Sequence, residues 1–220
     1  MLKVNAESDI ERSVISEEVI DFLQKKYSYI ESHEDDRLIL KHKRIKLVQI
    51  MDTQEDREKY FYLMNAYIAH VMKNYYPDVR PYGLEECFLG EISTKDGKLP
   101  MFFIYNVNNE LLGMAGFRGL ELKTYNNNKV RMHELSIRMN QNVSANLSFG
   151  YGSLAGMMCN LMAFKKEENI FAKTYPNVKT WAFHFFDSIN CYYIGRKTDK
   201  FQFLDKKVQL DVFANLKIDL

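Results

Sequence analysis

The stretch Leu147-Ser148-Phe149-Gly150-Tyr151-Gly152-Ser153-Leu154-Ala155-Gly156 places two glycines one residue apart directly before an apolar run of helical period. Leu154, Met157, Met158, Leu161, Met162 and Phe164 carry that period over residues 150–166, and the pair Lys165-Lys166 suits the carboxyl end of a helix. Residues 129–139, on the amino side, supply Val130, Met132, Leu135, Ile137 and Met139 to a strand. These five do not alternate strictly, and a bulge or register change within the strand reconciles them. Glycines ahead of a helix let the backbone approach a pyrophosphate, and the unpaired amides of a helix start favour negative charge. Gly150, Tyr151, Gly152 and Ser153 are therefore the expected anion cradle. The plainer alternative is that the glycines serve only a tight turn and close packing of helix on sheet.

Toward the amino terminus the punctuation is that of a meander. Asp96-Gly97 and Asn108-Asn109 are turn pairs that tolerate positive φ, and they flank apolar runs at 101–107 and 111–122. Asn126-Asn127-Asn128 makes a further turn. Before these, Thr53-Gln54-Glu55-Asp56 has the form of a capping box, and Tyr60, Met64, Tyr67, Ile68, Val71 and Met72 continue at helical spacing up to Pro77. Residues 77–90, broken by Pro81 and Gly83, are left open between strand and turn. Residues 38–51 supply a first core strand, clearest over 45–50, and residues 16–30 predict an amphipathic helix.

Beyond the glycine pair, residues 178–186 predict an aromatic strand, 187–193 a short helix, and 201–204 with 208–213 a final hairpin. Residues 1–40 are thus expected as a helical extension and 41–220 as a single α/β domain.

This order of elements resembles the GNAT (GCN5-related N-acetyltransferase) superfamily, in which a central strand enters a loop of form Gln/Arg-x-x-Gly-x-Gly/Ala that opens a helix. Gly150 and Gly152 match that loop, while Leu147 stands at its first position. The resemblance implies a mixed, mainly antiparallel central sheet flanked by helices, here with an extra helix at the amino end. It further implies acetyl-coenzyme A or another acyl-CoA as co-substrate and transfer of the acyl group to a primary amine by direct attack. The amine belongs to a small molecule or a protein, and the resemblance does not specify which. By the same resemblance the backbone of Ile137, Arg138 and Met139 pairs with the pantetheine arm. Glu134 corresponds to a carboxylate that takes the amine proton, with His133 as the other candidate on the opposite face. Asn190 contacts the cofactor, and Tyr193, with Tyr192 competing, protonates the leaving thiolate.

Composition sets the remaining bounds. Thirty basic against twenty-nine acidic residues leave a formal charge of +1, so no global field draws the protein to nucleic acid or to an anionic membrane. The concentrated basic run Lys41-His42-Lys43-Arg44, with Lys46, fits a strand edge guarded by lysines, and phosphate contact is its other reading. No stretch approaches the ~20 apolar residues of a membrane helix. Three cysteines without a CxxC pair predict free thiols and a cytoplasmic protein. Scattered histidines predict no metal site. Three rival functions stand beside acyl transfer: an interaction protein on the same fold, an enzyme modifying a nucleic acid base, and a cysteine hydrolase using His184, Asp187 and Cys191. A homodimer is left open.

Overall fold

A computed structural model describes residues 17–74, 83–125, 128–143, 150–174, 185–186, 191–200 and 207–215. The chain runs α1 (Glu17–Lys26), β1 (Ile30–Glu34), β2 (Arg37–Lys41), β3 (Ile45–Gln49), α2 (Gln54–Asn74) and α3 (Leu84–Ile92). It continues through β4 (Met101–Asn106), β5 (Leu111–Tyr125), β6 (Asn128–Met139), α4 (Tyr151–Lys165), β7 (Asn169–Thr174), β8 (Tyr192–Lys200) and β9 (Lys207–Asn215). The strands form one nine-stranded sheet in the order β1-β2-β3-β4-β5-β6-β7-β9-β8. Every neighbouring pair is antiparallel except β6 and β7. The expected mixed, mainly antiparallel α/β architecture is present.

Local chemistry accounts for the element boundaries. Thr53 caps α2, its Oγ1 accepting the Asp56 amide at 3.2 Å, as the capping box predicts. Asp96 and Asn109 take positive φ of 57° and 59°, so both turn pairs do the work their side chains allow. The irregularity expected in β6 lies instead in its partner: the register shifts between Phe117 and Gly119 of β5, and Arg118 is the extra residue.

Four expectations are corrected. Residues 30–40, expected within the helical extension, are not helical, because β1 pairs with β2 and β2 with β3, continuing the sheet. Residues 84–92 form α3, neither strand nor turn: Cys87, Phe88 and Glu91 bury one helical face behind the Gly83 break. The parallel partner of β6 is β7, at Asn169–Thr174, and not the aromatic run at 178–186, whose described end, Phe185 and Phe186, is helical. The final hairpin joins β8 to β9, so its first strand begins at Tyr192 rather than near 201.

The helices cover both faces of the sheet. Alternation along β6 sends Arg138 to Met64 of α2 and Glu91 of α3, while Ile137 and Met139 meet the start of α4 on the other face. Helix α4 is buried nearly all round, from Gly152 to Phe164, because α1 packs over its outer side.

Candidate active site

The main chain opens at one end of the sheet. Strands β6 and β7 pair from Met132 with Asn169 to Leu135 with Ala172, and no further pairing follows. Past that point β6 stays with β5 through Met139, and β7 stays with β9 through Thr174. Backbone groups of residues 136–139 that face β7 therefore have no strand partner among the described residues. In a sheet interior such groups need a partner. An extended, amide-bearing chain laid between the strands supplies one.

Helix α4 begins beside this opening. Gly150 holds φ of 80°, the left-handed region that favours glycine, and its carbonyl accepts the first helical bond from the Leu154 amide at 3.1 Å. The amides of Tyr151, Gly152 and Ser153 thus precede the helical ladder and point out of the amino end. Gly152 serves a different need. A Cβ there would lie 3.2 Å from Met139 Sδ and 3.7 Å from Ile137 Cγ2, so its absence lets α4 start tight against the end of β6. The two glycines thus place three amides next to the β6 segment Ile137, Arg138 and Met139.

Beside the amino end of α4 lies a cavity of about 280 Å³ lined by Lys26, Tyr27, His42, Lys43, Arg44, Gly150, Ser153 and Leu154. The basic run 41–44, expected as an edge guard, forms the turn between β2 and β3 and faces the helix start. Arg44 stacks its guanidinium over the Tyr151 ring at 5.0 Å. Partial burial first, and the charges of Lys43 and Arg44 after it, hold His42 below its ordinary pKa. Sequence reasoning missed these residues as part of the site, since only the hairpin's placement brings them to Gly150.

Glu134 is buried one pair before the strands part. Its Oε1 accepts from Arg118, and its Oε2 lies 3.4 Å from Lys173, which also bonds Glu121 at 3.0 Å. Burial pushes the carboxyl up, but Arg118 and Lys173 together outweigh it and hold it below the usual range. A carboxylate so held is a poor base, and both oxygens are engaged. The geometry gives Glu134 the work of joining β5, β6 and β7 where the sheet is still closed.

His133, the alternative base, is fully buried, accepting the Leu99 amide on Nδ1 at 3.3 Å with Nε2 3.0 Å from Glu168. Arg138 contributes its backbone to the opening and sends its side chain away: Nη1 and Nη2 hold Glu91 at 2.7 and 2.6 Å, and Tyr60 donates to the same carboxylate at 3.0 Å.

Tyr193 is the second residue of β8, the outermost strand, opposite Phe213 of β9, rather than lying on a short helix. Asn190, His184 and Asp187 lie outside the described residues. Cys191 is buried, and burial pushes its thiol up to about 12, which leaves it inert as a hydrolase nucleophile at neutral pH. No helix among the described residues is long and apolar enough to cross a membrane.

Comparison with solved structures decides the architecture. The ribosomal L7/L12 alpha-N-protein acetyltransferase RimL superimposes with a TM-score of 0.60 at 12% identity, covering 86% of this chain and 99% of that one. An acetyltransferase of the GNAT family from Bacillus anthracis gives 0.53 at 17% identity, over 81% of this chain and 98% of that one. The chain has the GNAT acetyltransferase fold. The Microcin C7 self immunity acetyltransferase MccE, solved with acetyl-CoA and AMP, also matches, at TM-score 0.52 and 9% identity, over 80% of this chain and 93% of that one. No family model matches the sequence, and no curated protein matches it either. On the GNAT fold the divergence of β6 and β7 next to the start of α4 is the feature that bears on function.

Proposed function

We propose that the protein is an acyl-CoA-dependent N-acyltransferase acting on a primary amine. The observation that carries the reading is the parting of β6 and β7 directly beside three outward-pointing amides. A coenzyme A thioester combines an anionic pyrophosphate with an amide-bearing arm, and these two features answer the two kinds of unpaired backbone group. When bound, acetyl-coenzyme A supplies an acyl thioester that a neutral amine can attack.

In this proposal Tyr151, Gly152 and Ser153 hold the pyrophosphate through their amides, with Gly150 setting the turn. The main chain of Ile137, Arg138 and Met139 pairs with the pantetheine arm and fixes its register. Positioning is the main contribution, since two reactants held in place react as one molecule does. Asn190 and Tyr193 keep the roles the family resemblance implies, as cofactor contact and proton donor to the thiolate. With Glu134 committed to Arg118 and Lys173, removal of the amine proton falls to solvent at the open mouth. RimL is by its name an alpha-N-protein acetyltransferase and MccE a Microcin C7 self immunity acetyltransferase, and both a protein and a small molecule fit as acceptor class here.

Isothermal titration with acetyl-coenzyme A and coenzyme A tests the reading. Micromolar binding with a raised melting temperature is expected. Gly152→Val, which drives a branched side chain into Met139 and the cradle, is expected to weaken binding by at least about tenfold. Absence of binding at millimolar ligand would overturn the proposal in favour of an interaction protein.

A further inference from the structure

The cavity at the β2–β3 turn goes beyond what the glycine cradle requires. Among the described residues Arg37, Arg57, Arg118, Arg131, Arg138 and Arg196 each hold a carboxylate. Arg44 holds none, its side chain touching the Tyr151 ring. Among the same residues no carboxylate pairs with Lys43, and Lys26 lies over the rings of Phe22 and Tyr27, at 5.7 and 5.2 Å. No acidic residue is among the described residues that line the cavity with these three cations. In a chain of net charge +1, where other arginines are neutralised, three uncompensated cations around one cavity mark an anion site.

We propose that Lys26, Lys43 and Arg44 seat a phosphate monoester, the 3′-phosphate of the coenzyme A nucleotide. This rests on the acyl-CoA reading. The choice of phosphate follows from position. Gly152 seats the helix amides against Met139 and Ile137 of β6, and they are the natural seat of the pyrophosphate. The cations come from separate elements, α1 and the β2–β3 turn, that line the same cavity beside Gly150, and so can meet a second phosphate of the same nucleotide. A monoester dianion with three acceptor oxygens matches a guanidinium fork and two ammonium groups. Residues ahead of β3 thereby gain a binding role: α1 and the turn carry charge to the nucleotide end of the co-substrate.

Titration calorimetry of the full chain with acetyl-coenzyme A and with its 3′-dephospho form separates the possibilities. The wild-type protein is expected to bind the phosphorylated form on the order of tenfold tighter. The Lys43→Ala/Arg44→Ala double variant is expected to bind both forms alike, at the wild-type affinity for the dephospho form. The preference should also shrink as salt rises. Equal wild-type affinity for the two ligands would overturn the 3′-phosphate seat and leave the acyl-CoA reading intact. A double variant that weakens both ligands equally would assign the cations to the pyrophosphate and also overturn it. If neither ligand binds the wild-type chain, the acyl-CoA reading itself falls, and the seat with it.

Discussion

Two regions of one sheet treat charge in opposite ways. In its closed part, Glu134 lies between Arg118 and Lys173, and Glu91 holds Arg138, with every one of these groups largely out of water. At the open end, Lys26, Lys43 and Arg44 face a cavity with no acidic residue in its described lining. The contrast separates charge that serves the fold from charge that serves a ligand. A buried ion must be paired or its desolvation is uncompensated, whereas a solvated cation can wait unpaired at little cost.

The comparison breaks most severely at Arg138. Arg138→Met leaves the buried Glu91 carboxylate without its charge partner, with the Tyr60 hydroxyl still donating to it, and the expected loss is about 3–5 kcal/mol in denaturant unfolding. A loss below about 1 kcal/mol would mean that water reaches Glu91, and the closed part would not be closed.

Next in size is Glu134→Gln, which removes the charge shared by Arg118 and Lys173 and should cost about 1–3 kcal/mol. Its pH dependence has a definite sign. Glu134 binds its proton less tightly folded than unfolded, so its contribution is complete above the ordinary carboxylate range and fades as pH falls through its lowered pKa. The stability gap between wild type and variant should therefore hold from pH 7 to about 5 and narrow below about 4. If the variant instead keeps its stability and loses the acid limb of its pH–rate profile, Glu134 is the base after all.

The smallest effect belongs to the open end. Lys43→Ala/Arg44→Ala should move unfolding stability by no more than about 0.5 kcal/mol, because these side chains are exposed and hold no carboxylate. Thermal denaturation without ligand checks this. A large loss would place the two cations with the structural charges and weaken the case for a ligand.

Where the chain's local chemistry sets a conformation, the sequence was legible. Thr53 announces α2, Asp96-Gly97 and Asn108-Asn109 announce the turns on either side of β4, and the glycine pair at 150 and 152 announces a helix start beside a strand. Strand β7 was not legible, because only Ile170, Phe171 and Ala172 are buried in a six-residue segment that directly follows a lysine-rich helix end. Helix α3 was hidden by Pro81 and Gly83, which interrupt the pattern just ahead of it.

Side-chain roles divide in the same way. The sequence by itself determined that residues 150–153 would offer backbone amides at a helix start, since glycine spacing and helical period are local properties. Only the tertiary structure decided that Arg138 turns from the opening to Glu91, 47 residues away, and that Glu134 is held by Arg118 and Lys173. It likewise decided that the run at 42–44 meets Gly150. A charged residue's role is set by which opposite charge stands near it and how much water remains, and both depend on contacts between segments distant in the chain.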